Sequence, residues 1–307
     1  MTLISNKTRP EREVYAIILN WNGKKFLKKC LSSVLKSTYR VSVVVVDNGS
    51  VDGSVAYIKK NYPQIAIIKN RDNLGWGVGN NKGIEYALRK GADAIFILNN
   101  DTEIDKRCIS NLVSELFKSE KVGIVGPKIY LSVNGKRTKK ISYAGGKFTK
   151  NRYFGMHIGD DKLDIGQFDK IKKTEFTTGA AMMVKSEVFR KIGYFENRFF
   201  IYYEEGDFCM RANKVGIEIL FIPNAHVFHV FSGTVKLNSP FQHYYTTRNH
   251  YLFVETMCPW NVKVREIFRT PKTISEFMKS RDLDKRKYSL LGIRDYFLRR
   301  FGKREYW

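Results

Sequence analysis

The sequence predicts an α/β fold in which a mostly parallel sheet carries helices on both faces, followed by a basic helical C-terminal extension. Three observations carry this. Short apolar runs alternate with amphipathic stretches from Val14 to Tyr130. The runs are nearly continuous in Val, Ile and Leu, as in strands buried on both faces. The first four runs end in clusters of Asn, Asp and Gly, after which a helical period begins.

In order, "VYAIILN" (14–20) reads as the first strand. "GKKFLKKCLSSVLKS" (23–37) puts Phe26, Leu27, Cys30, Leu31, Val34 and Leu35 on one helical face. "VSVVVVD" (41–47) is a β-branched strand, and "SVAYIKKNY" (54–62) a helix with Ser50 or Asp52 near its start. "IAIIKN" (65–70), the helix "GNNKGIEYALRKG" (79–91) and the strand "AIFILN" (94–99) follow. "DKRCISNLVSELFKSE" (105–120) reads as a helix capped by Asp105, and "VGIVGPKIY" (122–130) as a strand. Regularity fades from residue 131 to about 175, where a polar, Gly-rich stretch predicts hairpins and a mobile loop. It returns as a strand and a helix capped by Ser186 (178–195), a helix over 206–216 and a strand within 217–230. The expected division is an α/β domain over 1–239 and a basic, aromatic-rich helical extension over 240–307.

The chain has 307 residues, 43% hydrophobic and 27% charged, which describes a globular protein and excludes a disordered one. No apolar run approaches a membrane span and the N-terminus lacks a signal-peptide core, so a cytoplasmic location is expected. Cys30, Cys108, Cys209 and Cys258 lie far apart with no CxxC pair, so buried free thiols are expected. The formal charge of +24 favours polyanionic partners without choosing among nucleic acid, anionic lipid and phosphorylated small molecules.

Ligands of parallel α/β sheets bind beyond the carboxyl ends of the strands. Four such ends are polar here: "NWNG" (20–23), "DNGSVDGS" (47–54), "NRDNLGWGVGNN" (70–81) and "NNDTEID" (99–105). Four in succession describe one shared site. Asp47 and Asn48 suit the edge of a heterocycle, and the Gly-rich turn before the third helix suits phosphate. Asp101 in "LNNDT" suits Mg2+ or Mn2+, which prefer oxygen donors and bridge phosphates. "FFIYYEEGDFCMR" (199–211) sets Glu204, Glu205 and Asp207 at a helix start, where the dipole favours acids. Neighbouring carboxylates also raise one another's pKa, which suits a general base. "NAHVFHVFSGT" (224–234) adds His226 and His229.

Taken in order, "ILNWNG", "VVVVDNGSVDGS", "NLGWGVGNNKG", "LNNDT", "TGAAMMV", "YYEEGDFCMR" and "HVFHVFSGT" resemble the family 2 glycosyltransferases, in particular their rhamnosyltransferase-like branch. The resemblance covers roughly residues 13–250. It implies a GT-A fold and an inverting transfer of a sugar from a nucleoside diphosphate, dTDP-rhamnose or a UDP-sugar, to a glycan or lipid-diphosphate-linked acceptor. By the same resemblance Asp47 holds the base. Asn73, Gly75, Gly79 and Asn81 form the nucleotide-sugar loop, and Asn20, Asn22, Asn48, Asn99 and Asn100 join them from the strand ends. "NND" stands where the family carries its DxD metal motif, with Asp101 as the ligand and Asn99 in place of the first acid. His229 matches a histidine that approaches the metal or the diphosphate. "EEGD" stands for "EDxD", which makes Glu205 the base, with Asp207 as second candidate beside Glu204. Arg211 and the pair Arg248-Asn249 orient the acids or contact phosphate.

Two other classes compete. A sugar-1-phosphate nucleotidylyltransferase wants a Gly- and Arg-rich loop after the first strand, whereas "NWNGKKF" holds one Gly. A nucleic-acid binder fits the charge, but the acids sit where a ligand would, and no helix-turn-helix or zinc pattern occurs, so no nucleic acid is expected. In the tail, Leu290, Ile293, Phe297 and Phe301 recur at helical spacing. Two readings stand there: an interfacial helix on an anionic membrane surface, or a helix packed on the catalytic domain.

Overall fold

The computed structural model describes residues 12–133, 135–230 and 238–305. Residues 231–234, which close the "HVFHVFSGT" block, lie outside the described residues. The first half runs β1 (Val14–Asn20), α1 (Lys24–Leu35), β2 (Ser42–Asp47), α2 (Ser54–Asn61), β3 (Ala66–Lys69), α3 (Gly75–Arg89), β4 (Ala94–Asn99), β5 (Thr102–Ile104) and α4 (Cys108–Leu116). Next come β6 (Val122–Val133), β7 (Lys136–Tyr143), β8 (Gly146–Phe148), β9 (Gly155–His157), β10 (Lys172–Lys173), β11 (Ala181–Lys185), α5 (Ser186–Ile192), α6 (Glu204–Lys214) and β12 (Glu218–Val230). The chain closes with α7 (Pro240–Met257), α8 (Trp260–Met278) and α9 (Leu283–Phe297).

The main sheet runs β10-β12-β6-β11-β4-β1-β2-β3. β1 to β4 are mutually parallel, β11 inserts antiparallel between β4 and β6, and β12 pairs parallel with β6. Register brings the polar strand ends level: Asn20 lies opposite Asp47, and Leu19 opposite Asn99. Period-2 alternation sends neighbouring side chains to opposite faces. Val43 and Val45 pack with Leu27, Leu31 and Leu112 on one side, while Val44 and Val46 pack with Ile84 and Phe208 on the other. Both faces are covered, which is why these strands read as continuous apolar runs.

Several boundaries differ from the sequence reading. α3 begins at Gly75, so the Gly-rich stretch forms the first turns of the helix. Asn73 Oδ1 accepts from Gly75 N at 2.9 Å and Trp76 N donates to Phe200 O at 2.7 Å, which starts the helix early. Asp105 is not the cap of α4. Arg107 occupies that position without a side-chain bond, and the Asp105 carboxylate is taken by Arg137 at 2.7 Å and His226 at 3.1 Å. Ser186 does not cap α5 either; its hydroxyl donates to Ala92 O. The stretch after residue 134 holds two hairpins, one pairing β7 with β6 and one joining β8 and β9.

α7, α8 and α9 enclose a third cluster with Phe199, Tyr251, Phe253, Ile293 and Tyr296. Of the two readings of the tail, packing applies to Ile293, which is buried, and Phe301 lies beyond the end of α9. All four cysteines are buried free thiols. Among the described residues no helix is long and apolar enough to cross a membrane.

Candidate active site

The strand ends are braced by one network of side-chain amides. Asn20 Nδ2 donates to Asp47 Oδ2 at 3.0 Å and to Ser50 Oγ at 3.1 Å, while Asn100 Nδ2 donates to Asn20 Oδ1 at 2.7 Å. Ser50 N donates to the other Asp47 oxygen at 2.9 Å. Asn48 Nδ2 bonds Gly75 O at 3.0 Å, and its Oδ1 accepts from Asn70 at 2.8 Å. Asn22, left-handed at φ 48°, ties to Ser50 and Val51. These bonds satisfy groups that would be costly to bury alone and fix the ends as a single rim.

Above that rim is a cavity of about 630 Å³, a volume suited to a small-molecule ligand. Asn48, Asn73, Gly75, Asn99, Asn100, Asp101, Glu204, Glu205 and His229 line it. Residues from β1, β2, α3, β4, α6 and β12 thus converge although they span more than half the chain. A larger depression of about 1010 Å³ lies over the lysines of α1 and the Arg137 salt bridges, and of the candidate residues it takes His226 alone.

Asp101 is 6% exposed. His229 Nε2 stands 3.1 Å from Asp101 Oδ1, an ion-pair distance, yet that oxygen has no hydrogen-bond donor among the described residues. Burial pushes the His229 imidazole down, but the Asp101 carboxylate beside it outweighs burial and raises it. A buried carboxylate oxygen without a donor, next to an imidazole, fits a divalent cation. Among the described residues no third His, Cys, Asp or Glu joins the pair. His226, the other histidine of that strand, is turned to Asp105.

Across the cavity α6 begins with Glu204 and Glu205. Glu204 is 1% exposed and its Oε1 has no hydrogen-bond partner among the described residues. Burial, and then the charge of Glu205, push the Glu204 carboxyl well above the usual carboxylate range. Burial also raises Glu205, against the backbone amides of Glu205 and Gly179. The turn before them is strained: Phe200, Tyr202 and Tyr203 have φ of 72°, 68° and 80°. Left-handed backbone costs a residue with a Cβ about 1–2 kcal/mol. Arg248 and Asn249 of α7 hold this turn. Arg248 Nη2 donates to Arg198 O at 3.1 Å and Phe199 O at 2.7 Å, and Asn249 Nδ2 reaches the carbonyls of Phe199, Ile201 and Tyr202 at 3.0, 2.7 and 3.0 Å. Gly75 makes room on the other side, since a Cβ there would lie 2.2 Å from Phe200 O.

Other predicted residues do not line the cavity. Asn20, Asn22 and Asp47 belong to the bracing network. Gly79 is a packing glycine, because a Cβ would come within 2.5 Å of Leu19 Cδ1 and 2.8 Å of Asn48 Nδ2. Asn81 holds Phe195 through N–H and carbonyl at 3.1 and 2.9 Å. Asp207 pairs with Arg211 at 2.8 Å, and with Asn81 they line a separate cavity of about 420 Å³. Arg211 also donates to Ile192 O and Tyr194 O, and Arg248 is 1% exposed, so neither faces the larger site. Trp21, Trp76, His157, Asp160 and Gln242 line the cavity and do not stand out in the sequence. Trp21 and Trp76 sit inside the "NWN" and "GWG" blocks; His157 and Asp160 come from the stretch without readable period.

A largely parallel sheet whose strand ends share one ligand-sized cavity with the acids of α6 has the architecture of the GT-A class of glycosyltransferase. The chain belongs to that class as a member of Glycosyl transferase family 2, whose profile matches residues 15–193. It is 30% identical over 204 residues to the low-salt glycan biosynthesis hexosyltransferase Agl10 of Haloferax volcanii, a match covering 66% of this chain and 62% of that protein. It is 27% identical over 288 residues to the dTDP-rhamnosyl transferase RfbF of Shigella flexneri, covering 87% and 92% respectively. Among solved structures, GalNAc-T7 with UDP, GalNAc and Mn2+ superposes with a TM-score of 0.67 at 18% identity, covering 93% of this chain and 55% of that one. The last likeness speaks for the fold.

Proposed function

We propose that this protein transfers a sugar, with inversion, from a nucleoside diphosphate sugar to a hydroxyl of a glycan or lipid-diphosphate-linked saccharide on the cytoplasmic side of a membrane. One observation carries the reading: Glu204, buried, and Glu205, half-buried, line one cavity with the Asp101–His229 pair. The relative RfbF supports dTDP-rhamnose as a donor to test first, beside UDP-sugars.

Glu205 is the proposed base. It accepts the proton of the acceptor hydroxyl as that oxygen bonds to the anomeric carbon and the bond to the diphosphate breaks. Asp207 is the weaker candidate, because Arg211 holds its carboxylate at the other cavity. Glu204, higher in pKa, is read as a protonated neighbour that donates to substrate. Asp101 and His229 would hold Mg2+ or Mn2+; a bound cation would offset charge on the departing diphosphate. Trp21 and Trp76 offer flat apolar faces to a base or sugar. Residues 1–239 are proposed as the catalytic unit, with 240–307 as an extension that braces its acids.

A thermal-shift screen of dTDP-, UDP- and GDP-sugars with each cation tests the reading. One donor should raise the melting temperature when cation is present. No rise with any donor under either cation overturns it.

A further inference from the structure

α8 is amphipathic in the inverse sense to an ordinary surface helix. Its buried residues are Val262, Glu266, Thr270 and Thr273, so the inward face is mostly polar. Glu266 is held there by Arg152 and His250, the latter at 3.1 Å. Outward lie Trp260, Ile267, Phe268, Ile274 and Met278, exposed by 77%, 46%, 82%, 37% and 53%. Their spacing of seven, one, six and four residues falls within one helical stripe. A helix made only to cover the catalytic unit would turn this stripe inward.

Charge names the occupant. Between Trp260 and Lys287 the chain carries nine Lys or Arg against four Asp or Glu. Lys263 borders the stripe on one side, Arg265 and Lys272 on the other, the latter two exposed. A second copy of a chain with formal charge +24 would meet this rim with like charge. An anionic bilayer meets apolar stripe and basic rim together. We propose that the outer face of α8 lies in the headgroup region of an anionic lipid bilayer, with Trp260 and Phe268 inserted. The surface is thus α8 rather than the 290–301 stretch, whose Ile293 is buried. The proposal does not depend on the sugar chemistry.

Flotation of the full chain with phosphatidylcholine vesicles, with and without phosphatidylglycerol, tests it. The parent should bind the mixed vesicles and bind phosphatidylcholine alone at least about tenfold less. Phe268→Ser combined with Trp260→Ser should lower binding to mixed vesicles about tenfold or more, and Lys263→Ser with Lys272→Ser should remove the preference for phosphatidylglycerol. Melting temperature and nucleotide binding should stay at parent values in both double variants, which separates this result from any failure of the donor site. Equal binding by parent and Phe268→Ser/Trp260→Ser overturns the proposal. So does absence of parent binding, or a parent dimer in solution that this double variant dissociates.

Discussion

The indole N–H of Trp76 donates to Oδ1 of Asn99 at 3.0 Å. This bond fixes the side chain that stands in place of the first acid of the proposed metal motif. It joins the start of α3 to the end of β4 and leaves Asn99 oriented beside Asp101. A carboxylate at 99 would accept the same bond. Asn99→Asp should therefore keep the local geometry and add a second acidic donor. Affinity for Mn2+ measured by calorimetry with nucleoside diphosphate present should rise roughly tenfold, since charge count tunes such sites. Unchanged affinity would place the cation elsewhere.

Glu205 and Asp207 part company in their surroundings, so their variants should fail differently. Glu205→Gln should leave donor binding within about twofold and lower kcat by about 100-fold or more. Asp207→Asn should keep most of kcat but lose about 1–3 kcal/mol of stability, because Arg211 loses its carboxylate in a largely buried site. Urea unfolding and single-turnover kinetics separate the two. Full activity in Glu205→Gln with none in Asp207→Asn would reverse the assignment.

Burial raises the Glu205 pKa above its ordinary 4.5, so the proposed base loses its charge at a higher pH than a surface glutamate would. The rate should fall as pH drops through that raised value, giving an acid limb in kcat/KM above pH 4.5. Glu204 acts on stability with the opposite sense. Its folded pKa is well above 4.5, so the folded chain holds that proton more tightly than the unfolded chain. This contribution is full below 4.5 and disappears as pH rises through the folded value. Glu204→Gln should flatten the decline of the urea midpoint with rising pH; an unaltered slope would contradict the burial argument.

Asn249→Ala removes three hydrogen bonds from the carbonyls of the turn before Glu204. The left-handed residues there should then relax, moving Glu204 and Glu205 with them. Hydrogen exchange at residues 199–204 should speed up at least about tenfold, and kcat should drop more than donor affinity. Unchanged exchange would show that Arg248 and Trp76 hold the turn without Asn249.

The sheet was legible because Val43 to Val46 and Ile95 to Leu98 are buried on both faces, which leaves no polar residue to blur the run. The convergence of Asn48, Asn99 and Asp101 was legible too, because strand ends of a parallel sheet fall on one edge. Helix starts were not. Gly75 looks like loop, but Asn73 and the distant Phe200 carbonyl draw it into α3. Asp105 reads as a cap until Arg137 and His226, both remote in sequence, take its carboxylate. Asn81, Arg211 and Arg248 likewise match motif positions while their bonds go to backbone carbonyls far along the chain. His157 and Asp160 were invisible for the opposite reason: their stretch has no period to read.

The turn at 199–203 is gripped from both ends of the chain, by Trp76 N from α3 and by Arg248 and Asn249 from α7. Anyone recombining related enzymes to change their acceptor would inherit this arrangement as a constraint. A tail grafted from a homologue must arrive with its own aromatic turn, and a chain cut at residue 239 would discard the clasp along with the tail. The turn at 199–203 and the Arg248–Asn249 clasp of α7 therefore form one exchangeable piece, although some forty residues of sequence lie between them.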